Sequence, residues 1–190
     1  MRREIAVAVW VGPKARIKIP TLSQKARQGW GNRTKKERFD RTMDITWLNE
    51  RIAVGGGIWD SSAKMSELKS AGITHIIDMQ IECDDTEMGQ EHGIEVLWNP
   101  TDDDFEPKPA KLFRRGVDFA LAAIEEKDAK VFIHCAAGVH RAPMMALAVL
   151  CSIDGMSLED AMQLIEDKRP VADFADVYVR SVEEFLAGRA

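Results

Sequence analysis

The sequence predicts an α/β domain, in which a central sheet is surrounded by helices, preceded by a basic extension. Short apolar runs alternate with amphipathic helical segments through the middle of the chain, and the last third is helical throughout. With 190 residues, of which 45% are hydrophobic and 30% charged, the chain can bury one substantial core. We expect the extension to comprise residues 1–43 and the domain to comprise residues 44–190.

The extension is set apart by its charge. Residues 1–41 hold 12 Lys or Arg against 3 Asp or Glu, whereas the remaining residues hold 14 against 28. Residues 4–11 and 15–20 have the pattern of a β-hairpin, and residues 21–41 that of a loop. Such an arm could recruit RNA or an anionic surface, or it could pack on its own acidic domain. The dispersed basic residues favour packing.

The domain is predicted to begin with two short strands at residues 45–56, which end at a triple glycine. Residues 61–71 predict a short helix, because a serine can cap its start and Gly72 can take the left-handed conformation that ends it. A β-branched apolar run at residues 73–79 predicts a strand. The polar, acidic residues 81–93 that follow predict a loop.

The second half of the domain contains longer periodic segments. Residues 94–99 and 130–135 predict strands, and apolar residues spaced three and four apart predict a helix at 109–126 between them. The chain is then expected to be helical, with breaks at turn residues. These helices are predicted to start near Pro143, at a Ser157-x-x-Asp160 capping box, and at residue 176, the last of them ending at 188.

The composition excludes several classes of site. The three cysteines form no CxxC pair, and none of the four histidines forms a pair with metal-ligand spacing. We therefore expect neither a disulfide framework nor a metal site, and no cofactor. No apolar run is long enough to cross a membrane and no signal peptide is visible, so the sequence predicts a cytoplasmic protein.

The stretch HCAAGVHRAP (134–143) places a thiol and a guanidinium on one loop between a buried strand and a helix. In such a loop backbone N–H groups converge, and the helix N-terminus adds partial positive charge, which favours anion binding. Arg141 adds a planar fork suited to phosphate oxygens, and the same field stabilises a thiolate at Cys135 that can attack a bound phosphoryl group. The expected phosphate loop comprises Ala136, Ala137, Gly138, Val139, His140 and Arg141.

This loop resembles the CX5R signature of cysteine-dependent phosphatases, in the HCxxGxxR form of the dual-specificity group. The stretch ITWLNERIAVGGG, the short helix after it and AGITHIIDM are similar to the beginning of such a domain. The resemblance extends over roughly residues 44–188. It implies a cysteine-phosphatase-like central sheet with helices on both sides and the catalytic loop at its C-terminal edge.

The resemblance also implies roles for individual residues. Cys135 would be the nucleophile, Arg141 and the loop amides would hold the phosphoryl oxygens, and an aspartate on a separate loop would be the general acid. Asp103 lies 32 residues before Cys135 and fits best, with Asp104 and then Asp102 as alternatives. His134 resembles the family histidine that orders the loop and favours the thiolate.

Two further positions matter in this comparison. Residue 142 is Ala where most of the family has Ser or Thr, whose hydroxyl helps the cysteine sulfur leave. We therefore expect slow hydrolysis of the phosphocysteine. The sequence RAP at 141–143 is similar to the loop of glucan phosphatases.

Cys83 lies where some members of the family have a cysteine that protects the catalytic thiol through a disulfide. An ordinary loop cysteine is the simpler interpretation.

The leading hypothesis is a phosphatase that acts on protein phosphotyrosine, and on phosphoserine and phosphothreonine. The alternatives are the same chemistry on an RNA 5′ phosphate or on phosphoglucan, and a weakly active phosphate-binding module. A phosphorylated protein is the expected partner. The sequence does not indicate an oligomeric state.

Overall fold

The computed structural model describes residues 42–189, which form an α/β domain around a five-stranded sheet. The sheet order is β1-β2-β5-β3-β4, in which β1 is antiparallel to β2 and all other neighbours are parallel. The strands are β1 (Ile45–Trp47), β2 (Ile52–Gly55), β3 (His75–Asp78), β4 (Glu95–Trp98) and β5 (Val131–His134). This confirms the predicted fold class. The predicted hairpin and loop at residues 4–41 lie outside the described residues.

The helices also follow the prediction, except at one place. They are α1 (Ser62–Ser70), α2 (Thr86–Glu91), α3 (Ala110–Glu125), α4 (Arg141–Ile153), α5 (Leu158–Lys168) and α6 (Asp176–Ala187). Ser61 caps α1 and Ser157 caps α5 through side-chain oxygens. The capping box of α5 is only half formed, because the Asp160 carboxylate accepts from the Ser157 hydroxyl at 2.6 Å. None of the helices in this part of the chain is long and apolar enough to span a membrane.

Helix α2 corrects the predicted loop at residues 81–93. This helix is only six residues long, too short to show a periodic apolar pattern in the sequence. Gly89, which usually weakens a helix, permits close packing here. A Cβ at this position would lie 3.0 Å from the Ile94 carbonyl and against the Val96 side chain. The packing of Gly89 on β4 therefore outweighs the low helix propensity of glycine.

The alternation of side chains along the central strands forms two cores. Val131 and Ile133 face a large core built with α3, α4, α5 and α6, whereas Phe132 faces a smaller core with Met65 and Leu68 of α1. Helices thus cover both faces of the sheet. The C-terminal ends of the parallel strands are left as the edge where loops converge, which is where a doubly covered sheet binds ligands.

A polar cluster is buried at this edge. Asp78 ends β3 and His134 ends β5, and both side chains are fully buried, as is Asp85 beside them. The His134 Nε2 atom lies 3.5 Å from Asp78 Oδ1 and 3.3 Å from Asp85 Oδ2. Burial lowers the pKa of His134 to about 3 and raises the pKa of Asp78 to about 8. Near neutral pH both groups are therefore uncharged.

The Asp78→Asn variant tests this protonation state. The folded protein keeps a proton on Asp78 up to about pH 8, whereas the unfolded chain loses it near 3.8. Between these two pKa values the folded state binds one proton more than the unfolded state. Asp78 therefore makes the wild type less stable as the pH rises. We expect the melting temperature of Asp78→Asn, relative to wild type, to increase from about pH 4 to about pH 8. The exposed Asp128→Asn is the control, and a constant difference for Asp78→Asn would contradict the assignment.

Candidate active site

The predicted phosphate loop joins β5 to α4 at the C-terminal edge of the sheet. Cys135, the first residue after the strand, is only 2% exposed. The backbone N–H of Gly138 donates a hydrogen bond to Cys135 Sγ at 3.2 Å. The thiol therefore lies at the base of the loop, with at least one amide directed toward the sulfur.

The carbonyl groups of the loop show where the other amides point. Four consecutive carbonyls accept hydrogen bonds from outside the loop: Ala136 from the Gly57 N–H (3.3 Å), Ala137 from Arg169 Nη2 (3.3 Å), Gly138 from Arg169 Nε (2.7 Å) and Val139 from the Asp173 N–H (2.8 Å). A trans peptide unit directs its C=O and the following N–H to opposite sides. The amides of residues 137–140 are therefore directed into the loop, where they form a cradle of N–H groups above the sulfur, an arrangement suited to an anion.

Gly138 is required for this conformation. Its φ is +63°, in the left-handed region, and a Cβ would lie 2.6 Å from the Gly55 carbonyl group and against the Arg169 guanidinium. Both the backbone angle and the close approach of β2 exclude a side chain. The glycine of the sequence motif thus has a steric explanation.

Arg141 is 3% exposed and is oriented by a carboxylate that the sequence analysis missed. Glu82, in the loop after β3, accepts from Arg141 Nη1 at 2.9 Å and from Nη2 at 2.8 Å. Burial opposes ionisation of Glu82, but the hydrogen bonds and charge of Arg141 outweigh it and hold the pKa of Glu82 below its ordinary value. Arg141 Nε is buried without a hydrogen-bond partner among the described residues. This N–H is therefore available to a bound anion.

Arg169, just after α5, is a second residue that the sequence analysis missed. Besides its bonds to the loop, it pairs with both oxygens of Asp44, at 3.0 and 2.7 Å, and donates to Thr46 Oγ1 at 3.0 Å. It thereby connects the edge strand β1 to the phosphate loop. No local motif marks either Glu82 or Arg169, because each acts on a loop distant in sequence.

The three candidate general acids lie in one loop, residues 101–108, which we call the acid loop. Among the described residues, only Asp103 of these three aspartates forms a hydrogen bond to the phosphate loop. Asp103 Oδ2 lies 3.0 Å from His140 Nδ1, and Tyr178 donates to Asp103 Oδ1 at 3.3 Å. Asp104 pairs instead with Lys108, and Asp102, which is exposed like the other two, forms no hydrogen bond to the phosphate loop. This geometry favours Asp103 over the two alternatives.

The charges around Asp103 set its protonation state in the free protein. Burial opposes its ionisation, but the hydrogen bond and charge of His140 and the charge of Arg141 outweigh it. The pKa of Asp103 therefore lies below its ordinary value, and the group is a carboxylate near neutral pH.

The remaining predicted residues have different surroundings. His134 is buried and neutral beneath the loop, and Ala142 is fully buried in the first turn of α4. The Cys83 thiol donates to Asp60 Oδ1 at 3.1 Å. Burial and the nearby carboxylates raise the pKa of Cys83 to about 12, which makes it a poor nucleophile at neutral pH. Its protective role stays a prediction, and this environment weighs against it.

Two sets of side chains among the described residues have ligand atoms close enough to hold a metal ion. The sets are Asp78, Asp85 and His134, and Asp60, Cys83 and Asp85. Asp78 accepts hydrogen bonds from the Gln80 and Asp85 backbone N–H groups at 2.8 and 3.3 Å. Burial raises the pKa of Asp78 to about 8 and the pKa of Asp85 to about 6, so near neutral pH Asp85 is the charged member of the buried set. Asp85 Oδ2 and both ring nitrogens of His134 have no hydrogen-bond partner among the described residues.

Comparison with known proteins identifies the family. The model of the dual specificity phosphatase catalytic domain matches residues 58–186. Protein-tyrosine-phosphatase MKP1 of Arabidopsis thaliana is 25% identical over 169 residues, covering 85% of this chain and 20% of that protein. Dual specificity protein phosphatase 5 of Rattus norvegicus is 31% identical over 78 residues, covering 41% of this chain and 20% of that protein. The chain thus matches about a fifth of the length of these relatives.

Solved structures agree in fold. PTPMT1 matches with a TM-score of 0.68 at 21% identity, and the alignment covers 76% of this chain and 94% of the PTPMT1 chain. DUSP15 has a TM-score of 0.61 at 22% identity and covers 75% of this chain and 86% of its own. The family match includes the acid loop and the whole phosphate loop, and it covers well over half of the chain. The protein therefore belongs to the dual specificity phosphatases, a family of cysteine-dependent phosphatases.

Proposed function

We propose that this protein hydrolyses phosphate monoesters through a phosphocysteine intermediate, with Cys135 as nucleophile. The observation that carries the proposal is the direction of the loop amides, which converge above the buried sulfur. A phosphoryl group held by these amides and by Arg141 Nε would present its phosphorus to Cys135 Sγ. The position of Asp103 beside the same loop supplies a candidate proton donor.

The reaction has two displacements. In the first, the Cys135 thiolate forms an S–P bond, the P–O bond to the leaving group breaks, and protonated Asp103 gives its proton to the leaving oxygen. A bound phosphate dianion favours the protonated form of Asp103 through charge repulsion. In the second, Asp103 takes a proton from water as the water oxygen bonds to phosphorus and the S–P bond breaks.

The surroundings of the cradle support a substrate with a single phosphate and basic or neutral flanks. Four loops contact the phosphate loop, at residues 56–61, 79–85, 101–108 and 169–175. They contain many carboxylates and two basic residues, Lys108 and Arg169, which are already paired with Asp104 and Asp44. Such a rim repels polyanions and attracts cationic segments.

Apolar groups in these loops suit a protein substrate. Ile81 is 53% exposed and Phe105 is 37% exposed, in the loops that carry Glu82 and Asp103. Exposed aromatic and branched side chains beside an anion site can contact a phosphotyrosine ring or neighbouring peptide residues. We therefore place protein phosphotyrosine first, with phosphoserine and phosphothreonine as further substrates of the same site.

The second candidate is phosphoglucan, because the exposed Phe105 and Trp98 could stack on a neutral sugar chain. An RNA 5′ phosphate and a polyphosphorylated lipid are disfavoured by the acidic rim. PTPMT1, which is similar in fold, has been solved in complex with PI(5)P, and that ligand is a property of that protein alone. A weakly active phosphate-binding module is the remaining alternative.

Replacement of the nucleophile tests the activity itself. We expect Cys135→Ser to lower the turnover of 4-nitrophenyl phosphate by at least about 10³-fold, because an alcohol at this position is a far weaker nucleophile than a thiolate. Cys151→Ser, in the helix after the loop, is the matched control and should keep wild-type turnover. Equal rates for Cys135→Ser and wild type, or no turnover by any of the three proteins, would contradict the proposal.

Charge-varied phosphopeptides test the substrate class. We expect a phosphotyrosine peptide flanked by Arg and Lys to have a kcat/KM about tenfold above the same peptide flanked by Glu, because charge complementarity acts on encounter. The difference should shrink as salt increases. Amylopectin phosphate and a 5′-phosphorylated RNA complete the panel. Faster turnover of the RNA than of the basic peptide would overturn the assignment.

Residue 142 affects the second displacement. Wild type lacks a hydroxyl at this position, so we expect a burst of product followed by slow turnover, as phosphocysteine accumulates. Ala142→Ser should raise the steady-state rate several-fold and reduce the burst amplitude. Rapid-quench measurements with 4-nitrophenyl phosphate check both quantities, and a wild-type reaction without a burst would show that release of the sulfur is not limiting.

A further inference from the structure

His140 lies between two carboxylates, although it is itself part of the phosphate loop. Its Nδ1 atom is 3.0 Å from Asp103 Oδ2, and its Nε2 atom is 3.3 Å from Asp173 Oδ2. A neutral imidazole has one N–H and one lone pair, so it can donate to only one of these carboxylates. Both contacts are hydrogen bonds to carboxylates at the same time when the ring is doubly protonated, with one N–H directed to each carboxylate.

The ring is also packed against the acid loop. The Phe105 ring meets it edge to face at 5.1 Å between centroids, and Phe105 in turn stacks on Tyr178 at 5.8 Å. The Tyr178 hydroxyl accepts from the Phe105 N–H at 3.0 Å and donates to Asp103 Oδ1. Both oxygens of Asp103 are thus held, one by His140 and one by Tyr178.

The backbone of the acid loop needs such support. Phe105 has a φ of +59°, a left-handed value that is unfavourable for a residue with a Cβ unless its surroundings hold it. The contacts of Phe105 with His140 and Tyr178 hold the turn that presents Asp103. Releasing the histidine would therefore loosen the loop as well as one carboxylate oxygen.

We propose that His140, in its charged form, is a positioning residue that fixes the acid loop and its Asp103 against the phosphate loop, with Asp173 as the outer carboxylate that keeps the ring protonated. This inference rests on the proposed function, in which Asp103 protonates the leaving group. His140 does not itself exchange a proton with the substrate. It sets the distance between the proton donor and the phosphoryl group.

The electrostatics around the ring agree with this role. Burial opposes the charge on the ring, but the hydrogen bond to Asp103 and the charges of Asp103 and Asp173 outweigh it and hold the pKa of His140 above its ordinary value. The charged groups that face it are Asp103 from the acid loop, Asp173 from the loop before α6, and the neighbouring Arg141. Because its folded pKa is raised, the contact is complete below the ordinary range of histidine and is lost as the pH rises through the raised pKa.

The test compares leaving groups. A poor leaving group needs the proton of Asp103, whereas 4-nitrophenolate leaves with little help. We expect His140→Ala to lower kcat/KM for phenyl phosphate by about 10- to 100-fold and for 4-nitrophenyl phosphate by less than about threefold, since general acids contribute about 10²–10⁴-fold in all. Asp103→Asn should show the same split. Inorganic phosphate should inhibit His140→Ala and wild type at similar concentrations, because the cradle is intact.

The pH profile distinguishes positioning from general damage. His140→Gln keeps one neutral donor, so it should recover part of the phenyl phosphate activity that His140→Ala loses. It should also lack the loss of activity that we expect for wild type as His140 deprotonates. Asp173→Asn should shift that loss to lower pH, because one of the two carboxylates that stabilise the charge is removed. His92→Gln, at the end of α2, is the matched histidine control and should match wild type.

The positioning role would be overturned if His140→Ala lowered kcat/KM equally for phenyl phosphate and 4-nitrophenyl phosphate. It would also be overturned if inorganic phosphate no longer inhibited this variant. The positioning role would also be overturned if the loss of activity at high pH were the same in His140→Gln and in Asp173→Asn as in wild type. These failures differ from failure of the proposed function, which Cys135→Ser reports through 4-nitrophenyl phosphate turnover.

Discussion

The outward carbonyl groups of the phosphate loop are the constraint on which the active site depends. Amides can converge on an anion only if the carbonyls of the same peptide units face away, and a buried carbonyl needs a donor there. Gly57, Arg169 and Asp173 supply these donors from three separate parts of the chain. The cradle is therefore a property of the folded domain, because the loop sequence alone cannot satisfy its own outer face.

A second regularity is that each cation beside the cradle has a carboxylate partner. Arg141 pairs with Glu82, Arg169 with Asp44, and His140 with Asp103 and Asp173. The carboxylates orient these cations and reduce their net charge without removing the inward N–H groups. In the proposed function, recognition of phosphate would then depend more on directed hydrogen bonds than on a strong positive field, which suits a single phosphate better than a polyanion.

The sequence was sufficient for what is local. Strand, loop and helix around Cys135 and Arg141 follow from apolar runs, a glycine and a helix start, and the structure has them where they were predicted. The sequence did not reveal which side chains tertiary folding pairs with each other, such as Glu82 with Arg141. Helix α2 was missed for a related reason, since its stability comes from packing of Gly89 on β4 and not from its six residues. The preference for Asp103 among three adjacent aspartates, which stays a prediction, likewise rests on the position of His140.

The brace between Asp44 and Arg169 has a consequence for how the catalytic region is delimited. The family match begins at residue 58, after β1 and β2, yet Asp44 and Thr46 hold the guanidinium that satisfies two carbonyls of the phosphate loop. The smallest fragment with a complete active site therefore starts upstream of Asp44. An excised piece that follows the family match alone would retain Cys135, Arg141 and Asp103 and still lack the strand that holds their loop in shape.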